Sequence, residues 1–290
     1  MQPRVKPHRE AHFPSGEPRP ALGLGTWRLG EAPSSRAAEV GALRQALEMG
    51  WRVIDTAEMY GQGGAETVTG QAVAEALRAG LPRSELFIVS KVLPQHASAR
   101  GVQAACEASL RRLQLEQIDL YLLHWRGAVP LQDTVRGFEE LQRRGLIRLW
   151  GVSNFDLDDM RELSAVPGGR ACATNQVYYS LSQRGVEFEL LPWQRVHQMP
   201  LMAYSPFDQG ELVDHPHLRP VAERHRATPA QVALAWLLHQ PEVMVIPKAG
   251  NALHLRHNWA AQQLRLTVED LAELDRHFAP PHTRQPLAVR

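Results

Sequence analysis

From Leu22 onward, short apolar runs alternate with longer stretches of helical periodicity to the end of the chain. Read as strands, the runs are Leu22–Leu24, Arg52–Asp55, Leu86–Lys91, Ile118–Leu123, Ile147–Ser153, Ala173–Val177, Pro200–Tyr204 and Val243–Pro247, eight in all. The stretches between them read as helices. Val135, Phe138 and Leu141 recur on one helical face, as a helix lying on a sheet requires. Gly50, Gly80 and Gly145 follow segments ending near Met49, Ala79 and Arg144, in the place of a left-handed C-terminal cap. Thr228-Pro229-Ala230-Gln231 supplies an N-cap, an N1 proline and a capping-box glutamine ahead of an apolar helix. Before the alternation begins, three prolines and the Pro14-Ser15-Gly16-Glu17 turn predict a small hairpin between His12 and Leu24.

Strand–helix alternation implies parallel pairing with helical crossovers. Eight units in 290 residues predict a (β/α)8 TIM barrel with a short N-terminal β-hairpin. An open doubly wound sheet fits less well, because no G-x-G-x-x-G opens a helix and Gly23-Leu24-Gly25 runs on into Thr26-Trp27-Arg28. Residues 1–10 are polar and read as a loose segment, leaving residues 11–290 as one barrel domain without linker or repeat.

Composition narrows the function classes. A formal net charge of +1, with scattered Lys and Arg, gives no footprint for nucleic acid. Cys106 and Cys172 lie apart among small or apolar residues, which suits neither a disulfide framework nor a zinc site. No apolar run reaches membrane length and no secretory h-region opens the chain, so a cytoplasmic protein without a membrane partner is expected.

In a barrel the C-terminal strand ends converge on the mouth where chemistry occurs. Those positions hold Asp55, Lys91, His124, Ser153-Asn154, Gln176, Tyr204-Ser205 and Lys248, and Tyr60 follows Asp55 at the end of a small loop. Taken singly, each has an ordinary reading. Asp55 caps a turn, Lys91 snorkels, His124 is a hydrogen-bonded core residue, and Tyr60 or Tyr204 covers a rim. As a set closing successive strands they suggest proton transfer. A phenol with an ordinary pKa near ~10 is a poor acid unless a cation lowers it. Lys91, paired with Asp55, is placed to be that cation, and His124 to orient an oxygen towards Tyr60. Such a donor suits carbonyl reduction without a metal, with the hydride drawn from a cofactor.

The ordered set of motifs resembles the aldo-keto reductase superfamily over nearly the whole chain. Its segments are Gly23-Leu24-Gly25-Thr26-Trp27, Asp55-Thr56-Ala57-Glu58-Met59-Tyr60-Gly61, Ser90-Lys91, Ser109-Leu110-Arg111-Arg112-Leu113 and Ile118 through Trp125. Gly151-Val152-Ser153-Asn154-Phe155, Asn175-Gln176-Val177, Ala203-Tyr204-Ser205-Pro206 and Ile246-Pro247-Lys248 complete it. The resemblance implies a catalytic tetrad of Asp55, Tyr60, Lys91 and His124, with Tyr60 the proton donor. It also implies that Ser153, Asn154 and Gln176 hold a nicotinamide carboxamide and that Tyr204 stacks on the ring. Gly25 and Thr26, then Ser205, Pro206, Phe207, Gly210 and Leu212, are the expected contacts along the cofactor, with the pyrophosphate on the Ser205–Leu212 loop. Pro247, Lys248, Ala249, Gly250, Asn251, His254 and Asn258 form the expected adenosine end, where Lys248 would grip a 2′-phosphate. His254 stands where relatives commonly carry Arg, and His257 where they carry Glu, so NADPH is favoured over NADH by a narrower margin.

Trp27 and Trp125 are expected to wall the substrate pocket, although both would serve equally as core aromatics. A brief loop after His124 predicts a shallow pocket with Arg126 at its edge, suited to small carbonyls. Trp27-Arg28-Leu29-Gly30-Glu31 and His124-Trp125-Arg126-Gly127 look like bacterial members of the methylglyoxal-reductase type, which implies small 2-oxoaldehyde substrates and a monomer. Three rivals remain at this level. One is a cofactor-binding, redox-sensing accessory subunit of the same fold with little turnover. Another is a metal-dependent barrel hydrolase, whose usual His-x-His finds a counterpart only in His215-Pro216-His217. The last is a Schiff-base aldolase using Lys91, which would need a neutral amine.

Overall fold

A computed structural model describes residues 10–14 and 16–290. The strands are β1 (Glu10–His12), β2 (Pro18–Pro20), β3 (Leu24–Gly25), β4 (Val53–Asp55), β5 (Phe87–Val92), β6 (Ile118–Leu123), β7 (Ile147–Ser153), β8 (Asn175–Tyr178), β9 (Leu201–Tyr204) and β10 (Val243–Val245). β1 and β2 pair antiparallel as the expected hairpin. Most of the segment expected to be loose, residues 1–9, lies outside the described residues, and Glu10 already belongs to the hairpin.

β3 to β10 form one eight-stranded parallel sheet, ordered β10-β9-β8-β7-β6-β5-β4-β3. Its two ends are joined by the parallel bridges Leu22↔Val245 and Gly25↔Lys248. This is (β/α)8 topology. Every residue of β5 and β6 is buried, as parallel strands covered by helices on one side and by packed side chains on the other must be.

By contact the chain divides into two compact units. Among the described residues, one comprises Leu24–Gln176 and Lys248–Ala252; the other comprises 10–14, 16–23, Val177–Pro247 and Leu253–Arg290. In the first unit, Trp150 stacks on Phe138 beneath the helix Leu131–Arg143, whose Val135, Phe138 and Leu141 are all buried. In the second, the helix Pro229–Leu238 is buried from Val232 to Leu238, and its Thr228/Gln231 capping box is formed in full. Gly50, Gly80 and Gly145 adopt φ of 110°, 97° and 71°, the left-handed closure expected of them.

Further caps organise the second unit. Thr267 and Asp270 form a capping box at the start of the helix Val268–His277. Asp270, 2 % exposed, also accepts from Arg224 at 2.8 Å and lies 2.6 Å from the His225 ring nitrogen. Burial opposes its ionisation, but the Thr267 backbone N–H, His225 and Arg224 outweigh that and hold its carboxyl well below the usual range. A pKa lower folded than unfolded gives stability that is present above about pH 4 and lost as pH falls below it. Asp270→Asn is expected to cost about 2–3 kcal/mol at neutral pH, the worth of charge-assisted hydrogen bonds to a buried carboxylate. Urea melts at several pH values check this, and the variant should lose part of the wild-type acid sensitivity.

Candidate active site

Strand register builds the site. Gly25 pairs with Asp55 and Asp55 with Val89, so Lys91, two residues on, shares the face of Asp55. Lys91 pairs with Leu122, which gives His124 the same parity. Leu122 pairs with Gly151, two residues before Ser153, and Ser153 pairs with Gln176, extending that face across the following strands. Asp55, Lys91, His124 and Ser153 stand at or next to the C-terminal ends of their strands, whereas Gln176, expected at a strand end, lies near the start of β8.

Lys91 is fully buried and its ammonium spends all its donors on three acceptors. They are Asp55 Oδ2 at 2.7 Å, the Thr56 carbonyl at 2.9 Å and the Tyr60 hydroxyl oxygen at 3.2 Å. The other Asp55 oxygen accepts from Gln176 Nε2 at 2.8 Å. The buried pair is thus satisfied on both sides, the condition under which such a pair is tolerated. Burial opposes the Lys91 charge, but Asp55 and Tyr60 outweigh it and raise its pKa above the ordinary value. A charged lysine with no lone pair is not a Schiff-base nucleophile, which disfavours the aldolase rival.

Tyr60 sits in a short turn directly after β4. The chain behind it turns through positive φ at Gly61 (56°) and Gln62 (53°). A β-carbon at Gly61 would come within 2.9 Å of the Leu29 and Gly30 carbonyl oxygens, so this turn closes backbone against backbone. The Tyr60 ring meets Trp27 edge-on at 5.0 Å and His124 at 5.7 Å, and His124 lies 4.9 Å from Trp125. Burial raises the phenol pKa, the Lys91 charge pulls it back, and the Asp55 charge pushes it up. The net direction is upward, so the lowering expected from Lys91 does not prevail over burial. What Lys91 fixes is direction: because it donates to the Tyr60 oxygen, the phenolic proton is left to point elsewhere.

His124 is 6 % exposed, and burial, reinforced by the Lys91 charge, pushes its pKa down to about 2. It is a neutral imidazole, able to donate a hydrogen bond without a charge. Its Nδ1 is buried with no hydrogen-bond partner among the described residues, and Asn154 Nδ2 donates to its backbone carbonyl at 3.1 Å. Trp27 and Trp125 are 47 % and 36 % exposed, far from core aromatics and fit to wall a pocket. Arg126 is spoken for: it donates to Glu162 at 2.9 Å and to the carbonyls of Gly127 and Val129, a local role the sequence did not show.

Residues expected to meet a nicotinamide cofactor fall in both units. In the first, Gly25 and Thr26 lie beside Asp55, with the Thr26 hydroxyl donating to the Asp55 carbonyl at 3.0 Å. Ser153, Asn154 and Gln176 close β7 and begin β8, and Lys248, Ala249, Gly250 and Asn251 follow from Gly25↔Lys248 with the Lys248 side chain exposed. In the second unit, Tyr204 ends β9 and leads into Ser205, Pro206, Phe207, Gly210 and Leu212, with Pro247 after β10. His254 and Asn258 stand on the helix Ala252–Ala260, where Asn258 is 5 % exposed and its Nδ2 has no hydrogen-bond partner among the described residues. A buried, unpartnered amide donor is costly, so this residue fits a group that accepts from it. Absent from the sequence reading are Asp208, Tyr178 and Arg290, which surround the foot of Tyr204.

In a parallel barrel, a lysine-held phenol beside a neutral imidazole is an arrangement able to protonate an oxygen. Residues 21–279 match the model of the aldo/keto reductase family, and the chain belongs to that family of oxidoreductases. It is 47 % identical over 267 residues to methylglyoxal reductase YeaE of Escherichia coli K12, covering 90 % of this chain and 92 % of that protein. It is 33 % identical to methylglyoxal reductase DkgB of Salmonella typhi, covering 88 % and 93 %. Among solved structures it resembles an aldo/keto reductase from Klebsiella pneumoniae in complex with NADP and acetate. There the TM-score is 0.92 at 45 % identity, covering 97 % of this chain and 99 % of that one.

Proposed function

We propose that this chain reduces small aldehydes and ketones to alcohols with NADPH, and that 2-oxoaldehydes such as methylglyoxal are among its substrates. The observation that carries this reading is the Lys91 hydrogen bond to the Tyr60 oxygen, which aims the phenolic proton away from the Asp55–Lys91 pair. NADPH, when bound, supplies the hydride. The chain's residues do the rest. Neutral His124 donates to the substrate oxygen and orients it, and Tyr60 gives its proton to the oxygen as negative charge develops there. Lys91, held in place by Asp55, then balances the charge left on the phenolate. Trp27 and Trp125 exclude water and offer flat surfaces to a small carbonyl.

Ser153, Asn154 and Gln176 supply amide and hydroxyl groups for the carboxamide, and the unpartnered Asn258 Nδ2 suits the adenine edge. NADPH-linked structures at 45 % identity and methylglyoxal reductases among the relatives support the cofactor and the substrate class. A cytoplasmic monomer is the form we propose, and sedimentation at the mass of a single chain is the expected result.

The test is the loss of reduced-nicotinamide absorbance with methylglyoxal and with an aromatic aldehyde, each run with NADPH and NADH. Turnover preferring NADPH is expected. Tight NADPH binding with no turnover of any aldehyde would instead favour the accessory-subunit reading. Lys248→Ala should raise KM for NADPH by about 10–100-fold, the worth of one charge-assisted bond to phosphate, and leave KM for NADH within about twofold. Equal losses for both cofactors would remove Lys248 from the 2′-phosphate site.

A further inference from the structure

Beyond the tetrad, one buried carboxylate gathers more polar partners than the described activity uses. Asp208 lies in the loop that follows Tyr204 and is 3 % exposed. Its Oδ1 accepts from the Tyr178 hydroxyl, its Oδ2 accepts from the Ser182 hydroxyl at 2.6 Å, and the Arg290 guanidinium stands 3.7 Å from Oδ1. The loop it holds is strained. Ser205, Asp208 and Gln209 adopt φ of 50°, 48° and 54°, a left-handed region that side chains other than glycine rarely occupy. Such a backbone persists only where its surroundings over-determine it, and the donors on Asp208 are those surroundings.

The same cluster reaches Tyr204 twice. Tyr178, pinned by Asp208, stacks on the Tyr204 ring at 5.7 Å with planes 15° apart. The Arg290 backbone N–H donates to the Tyr204 hydroxyl at 3.3 Å, and its guanidinium lies 5.7 Å from the Tyr178 ring centroid. The two charged members differ in kind. Asp208 is buried and held by two hydroxyls, whereas the Arg290 side chain is 46 % exposed and sits at the outer limit of an ion pair. A fixed anchor and a releasable cover are what a retaining latch requires.

We propose that Asp208 and Arg290 are positioning residues for the nicotinamide cofactor: Asp208 sets the Tyr178–Tyr204 platform, and Arg290 docks on it to slow cofactor release. This rests on the reading that Tyr204 faces the nicotinamide ring. Neither residue touches reacting atoms, so the effect belongs to cofactor dissociation and to ring alignment rather than to proton transfer.

The experiment is stopped-flow dissociation of NADPH, followed by its fluorescence, for wild type, Tyr204→Ala, Arg290→Gln, Arg290→Lys and Asp208→Asn. Arg290→Gln alters an exposed side chain and should keep the wild-type melting temperature while releasing NADPH about tenfold faster. Arg290→Lys should restore most of the retention, and rising salt should narrow the gap between wild type and Arg290→Gln. Asp208→Asn should lower kcat more than it raises the KM of the aldehyde, with a larger deuterium isotope effect from a poorly aligned ring. Tyr204→Ala that leaves NADPH binding unchanged would refute the platform reading itself. Tyr204→Ala that weakens binding, with Arg290→Gln releasing NADPH at the wild-type rate at low salt, would overturn the latch alone.

Discussion

Tyr60→Phe is expected to reduce kcat for carbonyl reduction by about 10²–10⁴-fold, the usual worth of a positioned general acid, while NADPH still binds. The substitution removes one oxygen and leaves the ring contacts to Trp27 and His124 in place, so the fold should be little affected. A pH profile sharpens the test. The phenol must be protonated to act, and its pKa is shifted upward by burial, so reduction should hold through neutral pH and fall only on the alkaline side, above about 10. His124, pushed down to about 2, stays neutral throughout and should add no inflection between pH 5 and 8. Retention of activity within a few-fold of wild type would remove Tyr60 as the donor. An inflection near pH 6–7 that disappears in His124→Gln would show the imidazole to be acting in its charged form.

That Asp55, Tyr60, Lys91 and His124 could be expected to cluster follows from how parallel strands are made. An apolar run must end where the backbone leaves the sheet, and a polar residue at that point is visible as a change of character, as in Val53-Ile54-Asp55 and Leu122-Leu123-His124. Helix punctuation was equally legible, because Gly50 and the Thr228/Gln231 box act through local backbone geometry. Strand limits were less so: the first was expected at Leu22–Leu24, whereas regular pairing covers Leu24–Gly25 and Leu22 joins by a single bridge. The first barrel strand is short enough for tertiary contacts, rather than its own pattern, to set its ends.

Long-range polar contacts were not legible. The pairing of Arg126 was hidden because Glu162 lies 36 residues away. Asp208 drew no expectation because its partners Tyr178 and Arg290 lie far off in sequence, and because nothing in Phe207-Asp208-Gln209 announces a left-handed backbone at non-glycine positions. The shift of Tyr60 went against expectation for a related reason. Proximity to Lys91 was foreseeable from the motif, but the loss of hydration that outweighs it depends on the packing of Trp27, Leu29 and Gly30 around the turn.

The buried ion pair separates stability from catalysis. Lys91→Met alone strands the Asp55 carboxylate at 2 % exposure, with Gln176 as its remaining side-chain donor, and is expected to destabilise by about 3–5 kcal/mol. Asp55→Asn alone strands the Lys91 ammonium by the same logic. The double variant Asp55→Asn/Lys91→Met removes both charges, and replacing a buried pair by neutral groups is often close to neutral in stability. Urea midpoints should therefore recover in the double variant by more than the single losses would allow if they simply added. Turnover should not recover, because the bond from Lys91 to the Tyr60 oxygen is gone and no charge remains to balance the phenolate. Recovery of both quantities would mean that the pair serves the fold alone. Recovery of stability without activity would place Lys91 in the reaction, acting through the orientation and charge of Tyr60.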